Sequence, residues 1–246
     1  MRWFDHPLLW LQGERVVDVI PSGVFGEIWI TENPFCRCLR SSPFVIQTAM
    51  NKRRPWAPCS SHYRAVAEIL RKMPEMKRFL MVGLGGGSFL HTVKHCWPDA
   101  VVEAIDVDPV MPAIAREYFD VPPEAILILM DARDYFRGDR GPFDFVFIDA
   151  FDGMCPPKEL LTGQFFESVA RALSPGGVVC MNTVRKHPWD SDYGKVRGLF
   201  KKAFAHTAEM FSLPGKAAPL FPHNIVLLVA NGADAESITN RKEGKG

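Results

Sequence analysis

The sequence lacks the features that would place the chain in a bilayer or outside the cell. No apolar run among its 246 residues approaches the roughly 18 uninterrupted positions of a membrane span. Asp5 and Pro7 stand near the start, where a secretion leader needs an apolar core, so a cytoplasmic protein is expected. Cysteine is sparse, at 6 residues. Cys36 and Cys38 are the closest pair, and there is no C-x-x-C, so reduced thiols are expected rather than a disulfide framework. An excess of charge is also missing. Lys plus Arg is 29 and Asp plus Glu is 28, a net charge of +1, which offers no general field for nucleic acid or an anionic membrane. Any charged substrate must be recognised by local groups. A G-x-x-x-x-G-K-[ST] loop and a G-x-S-x-G elbow are both absent, which argues against a P-loop NTPase and an elbow-type serine hydrolase.

What is present has the composition of a folded domain: 47% hydrophobic and 23% charged residues, near the globular average. The length suits one large domain with a small appendage. Apolar runs recur at 79–82, 101–105, 125–130, 143–148, 178–181 and 225–230. The first five run into Gly83, Asp106, Asp131, Asp149 and Asn182. The runs do not alternate with polar residues, as expected of parallel strands covered on both faces. Between them the period becomes helical. Val110, Ile114, Ala115, Tyr118 and Phe119 form one stripe. Phe165, Phe166, Val169, Ala170 and Leu173 form a second, and Val196, Leu199, Phe200, Ala203 and Phe204 a third. Asp108-Pro109 reads as an N-cap and a first-turn proline, and Pro175-Gly176-Gly177 as a helix stop.

Such alternation predicts an α/β fold with a doubly wound, mostly parallel sheet. Residues 206–213 and 224–231, joined by a proline-glycine loop, are spaced as a terminal hairpin, so the last strand is expected to run antiparallel. Strand candidates at 15–20, 26–31 and 35–39 make a small β-rich lead-in, and 63–72 an entry helix with Tyr63, Val66, Ala67 and Leu70 on one face. The expected organisation is a lead-in over 1–60, a nucleoside-binding domain over 61–232 and a polar tail over 233–246.

The strongest local signal is the turn Gly83-Leu84-Gly85-Gly86-Gly87-Ser88 between a strand and a helix. Glycines let backbone pass close to a ligand, and a helix start offers free N–H groups. Asp106 follows about 20 residues on, where an acid accepts from ribose hydroxyls. Asp131 and Asp149 end the next two strands. Strand ends on one edge of an open α/β sheet line the ligand crevice, so three such acids point to a nucleoside site. A G-x-G-x-x-G dinucleotide pattern fails from either start, because the sixth place is Ser88 or Leu90.

Taken together, Val82–Ser88, Ala104–Pro109, Asp131-Ala132-Arg133, Phe143–Gly153 and Leu173–Gly177 resemble the spermidine synthase-like family of polyamine aminopropyltransferases, on the class I methyltransferase (Rossmann-like) fold. The resemblance covers roughly residues 60–231, with a looser match in the lead-in at 26–31 and at Gln47. It implies S-adenosylmethionine or its decarboxylated form as cofactor, a small amine as acceptor, no metal, and a homodimer. Carried over, Gly83, Gly85 and Gly87 form the cofactor loop, and Asp106 holds the ribose. Asp131 and Ala132 meet the adenine, and Gln47 lies near the nucleoside. Asp149 faces the reacting amine, Asp152 binds the amine beside it, and Tyr63 walls its pocket. Two departures mark a divergent branch. Gly86 stands where aminopropyltransferases carry an aspartate for the cofactor's amine, and Arg64-Ala65 follows the tyrosine where an acid is usual.

The expected activity is aminopropyl transfer from decarboxylated S-adenosylmethionine to a putrescine-like amine. The alternatives are methyl transfer to an amine, protein or RNA acceptor, and a binding module without turnover. An alkylamine has a pKa of about 10.4, and three units of proton removal cost about 4 kcal/mol, so a carboxylate that takes or relays the proton is needed. Asp149 is the candidate base. Asp152-Gly153 is also a common turn pair. Two basic segments, Lys52-Arg53-Arg54 with Arg64, and Arg185-Lys186, would repel a free polycation if they lined the mouth, and would favour an acidic macromolecular acceptor. His91 and His95 lie one turn apart beside Cys96, a spacing that can bind metal, though outward helix residues explain it as well.

Overall fold

The computed structural model describes residues 13–153, 155–187, 189–204, 207–211 and 223–230. The expected tail over 233–246 lies outside them. Four strands form an antiparallel meander: β1 (Arg15–Ser22), β2 (Gly26–Glu32), β3 (Cys36–Ser42) and β4 (Val45–Asn51). The lead-in therefore has one strand more than its sequence pattern suggested. Gln47 and Thr48 break the apolar run of β4, and both point to business elsewhere in the molecule, described below.

The second sheet has seven strands in the order β10-β11-β9-β8-β5-β6-β7. These are β5 (Arg78–Val82), β6 (Val101–Asp106), β7 (Ile126–Leu129), β8 (Phe143–Ile148), β9 (Leu173–Arg185), β10 (Thr207–Phe211) and β11 (His223–Ala230). Strands β5 to β9 are mutually parallel, whereas β11 runs against both β9 and β10, as the hairpin spacing predicted. Six helices connect them: α1 (Ser61–Leu70), α2 (Ser88–Cys96), α3 (Met111–Phe119), α4 (Ala132–Arg137), α5 (Gly163–Arg171) and α6 (Ser191–Ala203).

Burial explains why the central strands are apolar throughout. Phe79, Met81, Phe145, Phe147 and Cys180 face a core shared with α1, α2 and α3. Their neighbours Leu80, Val82, Val146, Ile148 and Met181 face a second core with α4, α5 and α6. A strand with helices on both sides has no solvent face on which to place polar residues. Ile28, Ile30, Leu39 and Met50 of the meander join the first core, which seats that sheet on the α1–α3 side.

Two local expectations are corrected. Helix α3 starts at Met111, not after Asp108-Pro109. Asp108 is instead fully buried, accepting from the Val110 N–H at 3.2 Å and from Ser22 Oγ at 2.5 Å, so it closes the turn before the helix and ties the end of β1 to it. Pro175-Gly176-Gly177 does not stop a helix, because α5 already ends at Arg171. It forms a bulge within β9, where the pairing with β8 jumps from Phe143–Leu173 to Phe145–Val178.

Candidate active site

Strand β5 is first in the parallel series, with β6 and β7 to one side of it and β8 and β9 to the other. The chain order reverses there, and a crevice opens outside the carboxyl ends of the strands. A cavity of about 620 Å³ occupies that place, a size suited to a nucleoside ligand. Of the residues assigned to the cofactor and the amine, all except Gly87 line it: Gln47, Tyr63, Gly83, Gly85, Asp106, Asp131, Ala132, Asp149 and Asp152. Gly87 lies one step behind, as the N-cap of α2.

The glycine turn is shaped by crowding. Gly83 has φ +91°, and a Cβ there would lie 2.5 Å from the Asp149 carbonyl oxygen. Only a bare backbone allows β5 and β8 to end side by side, and that places Asp149 against the turn. Gly86 has a different neighbourhood. It is buried, its N–H donates to Thr48 Oγ1 at 2.9 Å, and a Cβ would meet the Phe119 ring and Thr48 Cγ2 at 2.9 Å. This position thus abuts the meander and α3.

Asp106 is the last residue of β6. Its Oδ2 accepts from the N–H groups of Leu84 (2.8 Å) and Gly85 (3.3 Å), and its Oδ1 from Asp108 (2.9 Å). Burial raises its pKa and these donors oppose the rise. It therefore braces the turn as well as facing the cavity, with one lone pair, on Oδ1, left over for a hydroxyl group. Asp131 lies past β7 and caps α4, accepting from the Arg133 N–H at 2.7 Å. The Arg133 guanidinium grips the same carboxylate at 2.6–3.2 Å and holds its pKa below the usual value.

Asp149 follows β8. Its Oδ1 accepts from Asn182 Nδ2 at 2.7 Å, and the Tyr63 phenol donates to the same carboxyl. The group touches the cavity but is otherwise ringed by protein. Desolvation pushes its pKa up to about 7, against the opposing effect of Asn182 and Tyr63. Burial and the adjacent Asp149 keep the Tyr63 phenol well above its ordinary range. Tyr63 is held by a tilted contact with Phe89 and an edge contact with Phe147, so its position follows from the first core. Asp152 is exposed at the rim of the cavity and pairs through its backbone with Cys155 at 2.8 Å.

The sequence reading missed Asn182, Asn224, His62 and Glu159, which also line the cavity. Asn182 carried a signal, since it ends an apolar run as the acids do. His62 and Glu159 carried none. Burial, then Arg64, bring the His62 pKa down to about 4, so it is neutral at pH 7.

The basic segments do not line the cavity. Lys52 binds Glu32 at 3.1 Å, and Arg64 donates to the Cys59 carbonyl at 2.7 Å. Arg185 lies over the Tyr193 ring, 5.6 Å from its centroid. Arg133 is the one Lys or Arg lining the cavity among the described residues, and Asp131 holds it. Five acids stand there: Asp106, Asp131, Asp149, Asp152 and Glu159. His91 bonds the Phe119 carbonyl at 2.8 Å and His95 stacks on Trp56, so the two rings are engaged separately. Among the described residues no His, Cys, Asp or Glu cluster suits a metal ion, and no helix is long and apolar enough to cross a membrane.

This sheet order, with a glycine turn and acids at successive strand ends, defines a methyltransferase-like fold. A family model described as a methyltransferase domain matches residues 79–177. A probable spermidine synthase from Corynebacterium glutamicum superposes with a TM-score of 0.75 at 20% identity, over 91% of this chain and 85% of that one. A spermidine synthase in complex with the transition-state analogue AdoDATO gives 0.67 at 20% identity, over 94% and 80%.

Within that fold the chain is similar to polyamine aminopropyltransferases, the resemblance that its motifs carry. The enzyme of that name from Chromobacterium violaceum is 36% identical over 159 residues, 63% of this chain. The match spans 61% of the relative's length.

Proposed function

We propose that this chain is an aminopropyltransferase acting on decarboxylated S-adenosylmethionine and a small diamine of the putrescine type. The observation that carries the reading is the charge of the cavity. Five acids face it, and its single arginine is already held. Such a lining favours a ligand with an ammonium and a sulfonium, and offers no ready partner for the carboxylate of S-adenosylmethionine. Gly86 is not among the residues that line the cavity, and a side chain there would meet Phe119 and Thr48 first.

The donor set fits the ligand. Asp106 has acceptor capacity left for the ribose, and Asp131 and Ala132 border the place for the base. The bound sulfonium supplies the aminopropyl carbon and a neutral thioether leaving group. The protein aligns the acceptor amine with that carbon and excludes water, which is most of the work in an in-line displacement. Asp149 binds the acceptor ammonium and takes its proton as the nitrogen lone pair forms the new C–N bond and the C–S electrons return to sulfur. A base with pKa near the working pH combines a useful ionised fraction with a useful driving force. Tyr63 steadies that carboxyl, and Asp152 at the rim binds the second ammonium of a diamine.

Calorimetric titration with the two nucleosides tests the reading. Decarboxylated S-adenosylmethionine is expected to bind at least ~10-fold more tightly, about 1.4 kcal/mol. A tenfold preference for S-adenosylmethionine overturns the reading in favour of methyl transfer.

A further inference from the structure

We propose that Asn224 is a positioning residue for Asp149, acting through the side chain of Asn182; this rests on the proposed role of Asp149 as base. Asn182 donates from Nδ2 to Asp149 Oδ1 at 2.7 Å, and Asn224 donates from its own Nδ2 to Asn182 Oδ1 at 2.9 Å. The three side chains form a line with a single sense of donation.

The sense matters because an asparagine amide has two ends of nearly equal size. With Nδ2 toward Asp149 it stabilises the carboxylate. Turned over, it presents a carbonyl, which repels the carboxylate but accepts from the protonated acid. Nothing in the Asn182–Asp149 contact alone prevents this turn when Asp149 is protonated. Asn224 opposes it as long as its own Nδ2 points to Asn182, because the turned amide would then set two N–H₂ groups against each other. Asn224 thus commits Asn182 to the ionised, proton-accepting form.

The topology shows why a residue so late in the chain reaches the site. Strand β11 runs antiparallel to β9, with Asn224 opposite Val184 and Val226 opposite Asn182. Asn182 and Asn224 are diagonal neighbours on one face of the sheet, a separation that side chains of this length span. The reversed strand begins where the parallel strands end, so its first turn meets the crevice. The titratable groups that share the cavity lining with Asp149 are Tyr63 and His62 from α1, Asp106 from β6, Asp152 from its own loop, Asp131, the Arg133 paired with it, and Glu159. Tyr63 and Asn182 are the ones that act directly on its carboxyl.

The test reads both the carboxyl and turnover. The Asp149 carboxyl is titrated by carbon-13 NMR in the wild type, Asn224→Ala, Asn224→Leu (the same branching, without a donor), Asn182→Ala and the double alanine variant. Both Asn224 variants are expected to raise the midpoint by roughly half a pH unit, and the double variant to match Asn182→Ala. At pH 7 kcat is expected to fall ~2-fold with KM nearly constant, and to recover at pH 9. An unchanged midpoint in a folded Asn224 variant overturns the proposal. So does an Asn224→Ala effect that persists in the Asn182→Ala background. If midpoints move as expected but no protein forms an aminopropylated product, the relay stands and the aminopropyltransferase reading falls.

Discussion

Asp149 sits under opposing influences, and its chemistry depends on their balance. Desolvation pushes its pKa up to about 7, while Asn182 and Tyr63 pull it down. As a base it must be ionised, so kcat/KM should rise with pH through about 7 and level off above it. A profile flat from pH 5 to 8 would assign proton removal elsewhere. Asp149→Asn keeps the shape and loses the base, so turnover should drop at least ~10²-fold while nucleoside affinity changes little. Product assays and calorimetry on the same preparation check both halves, and lost binding would show that the residue serves the cofactor instead. The acid was visible in the sequence because it ends an apolar run. Its partners were less so. Tyr63 is 86 positions away along the chain, on a helix whose stripe reads as ordinary core, and Asn224 lies in a segment legible only as a hairpin strand.

At the level of elements, the crevice depends on how closely β5 and β8 end together and on how the meander is held against α3. Gly83→Ala would push a Cβ to within 2.5 Å of the Asp149 carbonyl. Both stability and activity should fall, with a cost of about 1–3 kcal/mol in chemical denaturation, since backbone cannot give way as a side chain tip does. The meander has its own anchor. Glu32 in β2 is 4% exposed and takes Arg37 at 2.9 Å, Lys52 at 3.1 Å and Arg15. Burial opposes ionisation, but these partners outweigh it and bring its pKa down to about 2 from 4.5. A depressed pKa contributes stability above the unfolded value that is lost as pH falls from 4.5 toward 2. Glu32→Gln should therefore cost on the order of 3 kcal/mol at pH 7 and much less near pH 2, as read from denaturant midpoints at both pH values. The sequence marked Lys52 as a candidate for the cavity mouth. Its partner is a buried acid 20 residues earlier, across two β-turns, and only the folded meander brings them together.

Over the whole molecule, the cavity joins both sheets, with Gln47 from the meander facing Asp106 and Asp149 from the parallel sheet. A ligand that bridges them should stabilise the chain as one unit. At 100 times its dissociation constant a ligand adds about 2.7 kcal/mol, which for a chain of this size raises Tm by roughly 5–11 °C. Decarboxylated S-adenosylmethionine should produce that shift in scanning calorimetry. A transition that splits, with only part moving, would mean that the ligand engages one sheet alone.

The order of strands and helices, the glycine turn and the acids along one edge follow from local pattern. An apolar run without alternation already states that a strand is covered on both faces, and parallel strands must all end on the same side. Which cations face the ligand, which way an amide points and how far a carboxyl is desolvated depend on groups distant in the chain. These are sums of burial and pairing over neighbours that meet only on folding. Lys52 meets Glu32, and Asp149 meets Asn182 and Tyr63, across the fold and not along the chain.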